Sequence, residues 1–310
     1  MARFVLVVTH TGRQDALLAS QEVCSQLVNA GITPVMTAEE LADTRAFSAS
    51  HVAPNSAIEK VVELGVGAQL SDLEVVMVLG GDGTILKAAE VVREAATPLL
   101  GINLGHVGFL AESERDGLSD AVHRVVDKDY LVKQRLALDV RVFVHGVEVF
   151  RTWALNEATV EKSARERMLE VVVEIDKRPL SSFGCDGIVM STPTGSTAYS
   201  FSAGGPIVWP SVEALMLVPL SAHALFARPL VINPNSLLAV EVMQRSAGSG
   251  VLWCDGRRSY EMPPGARVEV RRSDIPVQLA RFRQGPFTDR LVRKFALPVS
   301  GWRGPDSGSN

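Results

Sequence analysis

Cysteine is scarce: the 310 residues hold three, Cys24, Cys185 and Cys254, far apart and with no Cys-x-x-Cys pair. An odd count does not build a disulfide framework, so a reduced, cytoplasmic setting is expected. No run of about 18 uninterrupted apolar residues exists, which argues against a membrane span. The most apolar stretch, 204–232, is broken by Pro206, Pro210, Glu213, Pro219, His223 and Arg228. Phe4 to Val8 is too short for a signal-peptide core and reads as a first strand. Basic charge is not in excess: 31 Lys and Arg against 35 Asp and Glu leave −4, which disfavours a nucleic-acid binder. Two nucleotide signatures are missing. Gly65-Val-Gly67-Ala-Gln-Leu70 lacks the third glycine of a GxGxxG turn, and no GxxxxGK[ST] occurs. An ordinary Rossmann dehydrogenase and a P-loop NTPase are both disfavoured. No His/Cys cluster has metal-ligand spacing, and no nucleophile–His–Asp set stands out.

What is present is an ordinary globular composition, 46% hydrophobic and 21% charged, in a chain long enough for two domains. Apolar strands alternate with helices in the first third: strands at 4–8, 32–36, 75–79 and 99–102, and helices at 15–30 and 85–95. That rhythm predicts a doubly wound parallel sheet. Residues 37–56 read as a surface loop with a helical turn. From Lys133 strands follow in close succession, including 134–145, 148–161, 168–176 and 185–192, with helices expected at 196–204 and 211–216. Such density predicts a β-rich, sandwich-like second domain. The expected division is 1–130 for the α/β domain, joined by a returning segment 285–303 that includes an amphipathic piece from Thr288 to Phe295. Residues 131–284 form the β-rich domain, and 304–310 a disordered tail.

Gly80-Gly81-Asp82-Gly83-Thr84 stands directly after an apolar strand and before a helix. Glycines let a backbone approach a ligand closely, and a helix N-terminus favours phosphate. An aspartate in such a loop opposes an anion, so Asp82 needs a reason: it can hold a phosphate-bound cation or accept a proton from an attacking hydroxyl. A tight turn with Asp82 as helix cap is the plainer alternative. Residues 101–108, GINLGHVG, form a second glycine-rich junction at the same sheet end. Lys87, one helical turn past Thr84, could reach a phosphate or could simply face solvent. In the second domain Asn156-Glu157 interrupts an apolar strand, and adjacent strand residues point to opposite faces. Residues 192–202, TPTGSTAYSFS, offer hydroxyls and small side chains suited to sugar hydroxyls, amides or phosphate. His223 in an apolar segment reads most simply as a buried histidine. Cys254-Asp255-Gly256-Arg257 reads as a hairpin turn. The loop 162–167, with Lys162, Arg165 and Arg167, reads as a solvated charge cluster or a phosphate contact.

GGDGT at 80–84, GxNxGxxGF at 101–109, Asn156-Glu157, Cys185-Asp186-Gly187 and TPTGSTAYSFSAGGP at 192–206 together resemble the NAD kinase family in its bacterial form. The resemblance covers most of 3–303. It implies transfer of a phosphoryl group from ATP, with polyphosphate as a possible donor, to the 2′-hydroxyl of the adenosine ribose of NAD. By motif match it implies Asp82 as proton acceptor and Gly80, Gly81, Gly83 and Thr84 along the phosphate path. Asn156 and Glu157 would hold the adenosine part, and Asp186 the nicotinamide half. Thr197, Ala198, Tyr199, Ser200, Phe201 and Ser202 would complete the pocket. Lys87 and Arg167 match basic positions near phosphates, and His223 a histidine near the site. The resemblance further implies a divalent cation, Mg²⁺ or Mn²⁺, held through the nucleotide phosphates rather than by a side-chain cluster, and a homodimer or homotetramer. A lipid or sphingoid-base kinase of the same superfamily and a non-catalytic NAD(H)-sensing protein are the alternatives. The polar character of 156–157, Asp186 and 192–202 speaks against the first, and the intact Asp82 loop against the second.

Overall fold

The computed structural model describes residues 2–50, 56–105, 108–164, 167–282 and 286–299. The chain divides into two compact units, Met1–Gln134 with Gln278–Asn310, and Arg135–Val277. The expected tail 304–310 lies outside the described residues, as do His106, Val107 and Arg165 of the motifs above.

The first unit opens with β1 (Phe4–Thr9), α1 (Gln14–Asn29), β2 (Thr33–Met36) and α2 (Ala38–Ala49). Then come β3 (Val62–Glu63), β4 (Leu73–Leu79), α3 (Asp82–Val91) and β5 (Leu99–Asn103). β6 (Ser113–Glu114), α4 (Leu118–Val126) and β7 (Leu131–Arg135) complete the N-terminal run. The sheet order is β3-β2-β1-β4-β5-β20-β7, with β6 also on β5 and β20 (Val277–Arg281) returning from the far end of the chain. β1 pairs in parallel with both β2 and β4. The chain therefore winds outward one way from β1 and then the other way from β4. Their junction is a topological switch point, where open α/β sheets leave a crevice at the strands' carboxyl ends. The loop Gly80–Gly81 follows β4 at that end. β4 is apolar and buried almost throughout, as a strand covered on both faces must be. α1 buries Ala16, Ala19, Val23 and Leu27 at helical spacing.

Residues 38–49 are a twelve-residue helix, not the loop that composition suggested. Thr37 caps it by accepting from the Glu40 N–H, and its buried face is largely polar: Glu40, Thr44 and Ser48 beside Leu41. Without an apolar stripe the helix leaves no periodic signal.

The second unit runs through β8 (Leu138–Val144), β9 (Val147–Ala154), β10 (Glu157–Lys162), β11 (Leu169–Ile175), β12 (Arg178–Cys185) and β13 (Gly187–Ser191). A one-turn α5 (Tyr199–Ser202) precedes β14 (Leu215–Leu220), β15 (Leu230–Ile232) and β16 (Leu238–Val242). β17 (Gly250–Cys254), β18 (Arg258–Met262) and β19 (Ala266–Arg272) follow. Two six-stranded sheets result, β15-β14-β13-β10-β17-β18 and β12-β11-β16-β19-β8-β9. Alternate residues such as Val140, Val171, Val240 and Val268 of one sheet and Val160, Ile188, Leu217 and Leu252 of the other share one core. The fold class is α/β with a β-sandwich-like second part, as the sequence indicates. The single strand expected over 148–161 is two, because the chain leaves one sheet after Ala154 and enters the other at Glu157. The helix expected over 196–204 is a 3-10 turn at Gly195–Thr197 and the one turn of α5, separated by Ala198 in a non-helical conformation. No helix forms over 211–216, where β14 begins at Leu215.

Candidate active site

In the first unit the acidic loop is held from one side. α3 begins at Asp82, with Gly81 as its N-cap position, so Asp82 is the first helical residue rather than the cap. Its carboxylate accepts the Phe109 N–H at Oδ2 (3.1 Å) and the Leu110 N–H at Oδ1 (3.0 Å). Each oxygen keeps a further acceptor position. Gly108 makes this approach possible: a Cβ there would lie 2.5 Å from Asp82 Oδ1. Gly81 and Gly83 differ in kind, since an added Cβ would meet nothing within 4 Å at either. The fold does not demand glycine there, whereas a ligand lying against the backbone would. Gly80 is crowded by Thr84, whose Oγ1 would sit 2.5 Å from its Cβ. Lys87 does not stand open to solvent. Its Nζ pairs at 3.1 Å with Glu40, whose side chain is fully buried. Burial raises the Glu40 carboxyl, and Lys87 opposes that.

In the second unit the polar residues gather where the chain changes sheets. A strand that leaves its sheet strands its own backbone groups, and buried ones must find partners. Asp255 supplies them: its carboxylate accepts the Leu155 N–H (2.9 Å) and the Asn156 N–H (2.7 Å). Thr192 serves the carbonyls, donating its hydroxyl to Leu155 O (2.6 Å) and its N–H to Asn156 O (2.9 Å). Gly195 packs directly on that carbonyl, where a Cβ would come within 2.1 Å of Asn156 O. Asn156 and Glu157 are thus fixed at the start of β10, both buried. Arg258 braces Asp255 at 2.8 Å and lies over the Trp153 ring, 4.5 Å from its centroid.

Glu157 is 7% exposed, and its Oε2 has no hydrogen-bond partner among the described residues. Burial and the neighbouring Asp255 push its carboxyl up to about 8, against a hydrogen bond from the Tyr199 N–H. The same burial raises Asp255, but its backbone donors and Arg258 pull the other way. With its carboxyl at about 8, Glu157 keeps its proton at neutral pH. Ser191, opposite Glu157 in the strand register, and Ser200 also have buried hydroxyl oxygens without a partner among the described residues. Unsatisfied buried polar atoms gathered around one strand end call for an external partner.

The structure therefore brings Asn156 and Glu157 together with Gly195 and Tyr199. Thr197 donates its hydroxyl to Thr194 O within the turn, and Tyr199, Phe201 and Ser202 are exposed. Asp186 is paired with Lys162, which holds its carboxyl below the usual carboxylate range. His223 is exposed rather than buried; its N–H donates to Gly184 O, one residue from Cys185-Asp186. Arg167 donates to Ala247 O and lines a cavity of about 390 Å³ with Glu170, Gly184 and Arg245. Asp255 was legible only as a turn residue. It does occupy the β17–β18 hairpin, at φ 53° with Gly256 at 64°, but nothing near it in sequence announces partners a hundred residues away.

Two family models match the chain: the ATP-NAD kinase N-terminal domain over residues 5–130 and the ATP-NAD kinase C-terminal domain over residues 155–282. The chain is 63% identical over 304 residues to an NAD kinase of Leifsonia xyli subsp. xyli, covering 98% of each. It is 58% identical over 306 residues to an NAD kinase of Thermobifida fusca, covering 97% of this chain and 92% of the other. Among solved structures, a yeast NADH kinase complexed with NADH has the same fold, with a TM-score of 0.85 at 20% identity. The likeness covers 97% of this chain and 89% of that one. An NAD kinase from Archaeoglobus fulgidus in complex with ATP matches at TM-score 0.66 and 21% identity, covering 96% of this chain and all of the other.

Proposed function

The chain belongs to the NAD kinase family, and from that premise we propose that it transfers the γ-phosphoryl group of ATP to the 2′-hydroxyl of the adenosine ribose of NAD, giving NADP and ADP. The observation that carries this is Asp82, an aspartate on a glycine loop at the switch point, with both oxygens fixed by main-chain N–H groups.

In the transfer the ribose O2′ forms a bond to the γ-phosphorus as the bond to the β-γ bridging oxygen breaks. The hydroxyl proton passes to Asp82. A loose phosphoryl-transfer transition state needs little nucleophilic push, so positioning and charge neutralisation dominate. Two N–H donors keep the Asp82 carboxylate from swinging while leaving it able to accept the proton. Gly80, Gly81, Gly83 and Thr84 line the phosphate path, where the open side of Gly81 and Gly83 leaves room for a ligand. A divalent cation, Mg²⁺ or Mn²⁺, would be carried on the ATP phosphates and offset their charge there. The loop fits such a guest: its open glycines admit a nucleotide with its cation, and no side-chain cluster has to be assigned to it.

Asn156 and Glu157 hold the adenosine part. A protonated Glu157 can donate as well as accept, which suits a sugar or base presenting both kinds of atom. Tyr199 and Phe201 offer exposed ring faces, and Thr197, Ala198, Ser200 and Ser202 complete the wall. Asp186 meets the nicotinamide half, with His223 nearby. Lys87 and Arg167 already have protein partners, and no step in the transfer is given to them. A homodimer or homotetramer in the cytoplasm completes the proposal.

The test is Asp82→Asn. NADP formation should fall by at least about a thousandfold, the upper range for a proton-transfer group. NAD affinity, read by calorimetry, should stay within about tenfold, or 1.4 kcal/mol. Wild-type turnover in the variant would overturn the assignment of Asp82. NAD binding by wild type with no ATP-dependent product would favour a sensor instead.

A further inference from the structure

Proton transfer to Asp82 makes no direct demand on the C-terminal helix, yet the first unit links the two in two short steps. The first step is the pair of hydrogen bonds from Phe109 and Leu110 to the carboxylate. The second lies on the other side of the same loop. There α6 (Phe287–Phe295) presents Arg290. Its Nη1 donates to Phe109 O (3.0 Å) and Ala111 O (2.9 Å), and its Nη2 to Glu112 Oε2 (2.8 Å). Arg281 adds bonds to the same Ala111 O (3.1 Å) and Glu112 Oε2 (2.8 Å), and the Phe282 N–H reaches Glu112 Oε1 (3.1 Å). Glu112 and Arg281 side chains are each 7% exposed and Arg290 18%, so these ion pairs are shielded from solvent. The Phe109 ring packs on α6 as well, 6.1 Å from the Phe287 centroid and 5.8 Å from that of Phe295.

We propose that Arg290 is a positioning residue for the reaction: from α6 it fixes the Phe109–Leu110 backbone against Asp82 and so sets the orientation of the proton-accepting carboxylate. This rests on the reading of Asp82 given above. Phe109 is the hinge of the argument. Its carbonyl is held by Arg290 while its N–H holds Asp82, so one residue is fixed from both sides. On the near side Gly108 leaves no room for a side chain, since an added Cβ would lie 2.5 Å from Asp82 Oδ1. A planar guanidinium can reach three acceptors at fixed angles, which an ammonium cannot. A misplacement of about 1 Å at a reacting group costs on the order of a hundredfold in rate.

The experiment compares Arg290→Gln and Arg290→Lys with Arg293→Gln in the full chain. Arg293 is on the same helix but pairs with Glu114 at the surface, with side chains 58% and 62% exposed. Steady-state kinetics and amide hydrogen exchange at Phe109 and Leu110 are both read. Arg290→Gln should lower kcat by about 30- to 100-fold with KM for NAD and ATP within about threefold, the pattern of an interaction lost in the transition state. Exchange at the two amides should quicken by at least about tenfold, since the backbone that carries them is no longer held against Asp82. Arg290→Lys should fall between, and Arg293→Gln should match wild type. A kcat for Arg290→Gln within about threefold of Arg293→Gln, or unchanged exchange at Phe109 and Leu110, overturns the proposal. If Arg290→Gln does not fold, Arg290→Lys is judged by the same criteria. The exchange readout needs no turnover. If wild type makes no NADP but exchange responds to Arg290, the NAD kinase reading fails while the hold of Arg290 on the Phe109–Leu110 backbone stands.

Discussion

Glu157 enters the folded chain with an oxygen that has no hydrogen-bond partner among the described residues and with Asp255 beside it. Its carboxyl rises from 4.5 to about 8. Between those values the folded chain keeps a proton that the unfolded chain has released. The stability Glu157 contributes is therefore full below about pH 4.5 and is lost as pH rises toward 8, by at most about 1.4 kcal/mol per pH unit. Glu157→Gln has no such proton. Its denaturation midpoint should decline less than that of wild type between about pH 5 and 8. Parallel curves for the two proteins would contradict the protonated state. Asp255 acts on the backbone instead. Asp255→Ala leaves the buried Leu155 and Asn156 N–H groups without an acceptor, at about 1–3 kcal/mol each. A loss of roughly 2–4 kcal/mol in chemical denaturation is expected, and a loss under about 0.5 kcal/mol, the range of neutral surface changes, would show that water replaces it.

At the scale of elements, the glycines of the two loops separate fold from ligand. Gly195 sits against Asn156 O with no room for a methyl group, so Gly195→Ala should destabilise the second unit and weaken NAD binding together. Gly83 lies in the first turn of α3 with open space beside it. Gly83→Ala should leave stability unchanged or raise it by up to about 1 kcal/mol while lowering kcat/KM for ATP by at least about tenfold. A Gly83→Ala enzyme with wild-type kinetics would remove the ligand argument for this loop. The elements that sequence made legible are those whose pattern is local. β4 followed by the glycine loop and α3 is one, an uninterrupted apolar run and then a helix start. α2 leaves no local signal because its inward face carries Glu40, Thr44 and Ser48, and the Lys87 that pairs with Glu40 is 47 residues away. In sequence 148–161 reads as one continuous strand, because its break at Leu155–Asn156 is held by Asp255 from a distant hairpin. Asn156-Glu157 was legible as a polar interruption; that it marks a change of sheet was not.

Over the whole molecule the three cysteines are buried and unpaired, and burial pushes each thiol up to about 12. Thiolate, not thiol, is the reactive form. The native chain should give almost no rapid reaction with a disulfide reagent, and the denatured chain three equivalents. A fast-reacting thiol in the native protein would contradict the placement of Cys24, Cys185 or Cys254 in the cores. The reading as a kinase is most directly tested by its product. Purified protein is incubated with NAD, ATP and Mg²⁺, and NADP is read with a dehydrogenase that accepts NADP alone, with Asp82→Ala alongside. ATP-dependent NADP from the wild type and none from the variant is the predicted result. NADP from both, or from neither while NAD binds, would contradict it.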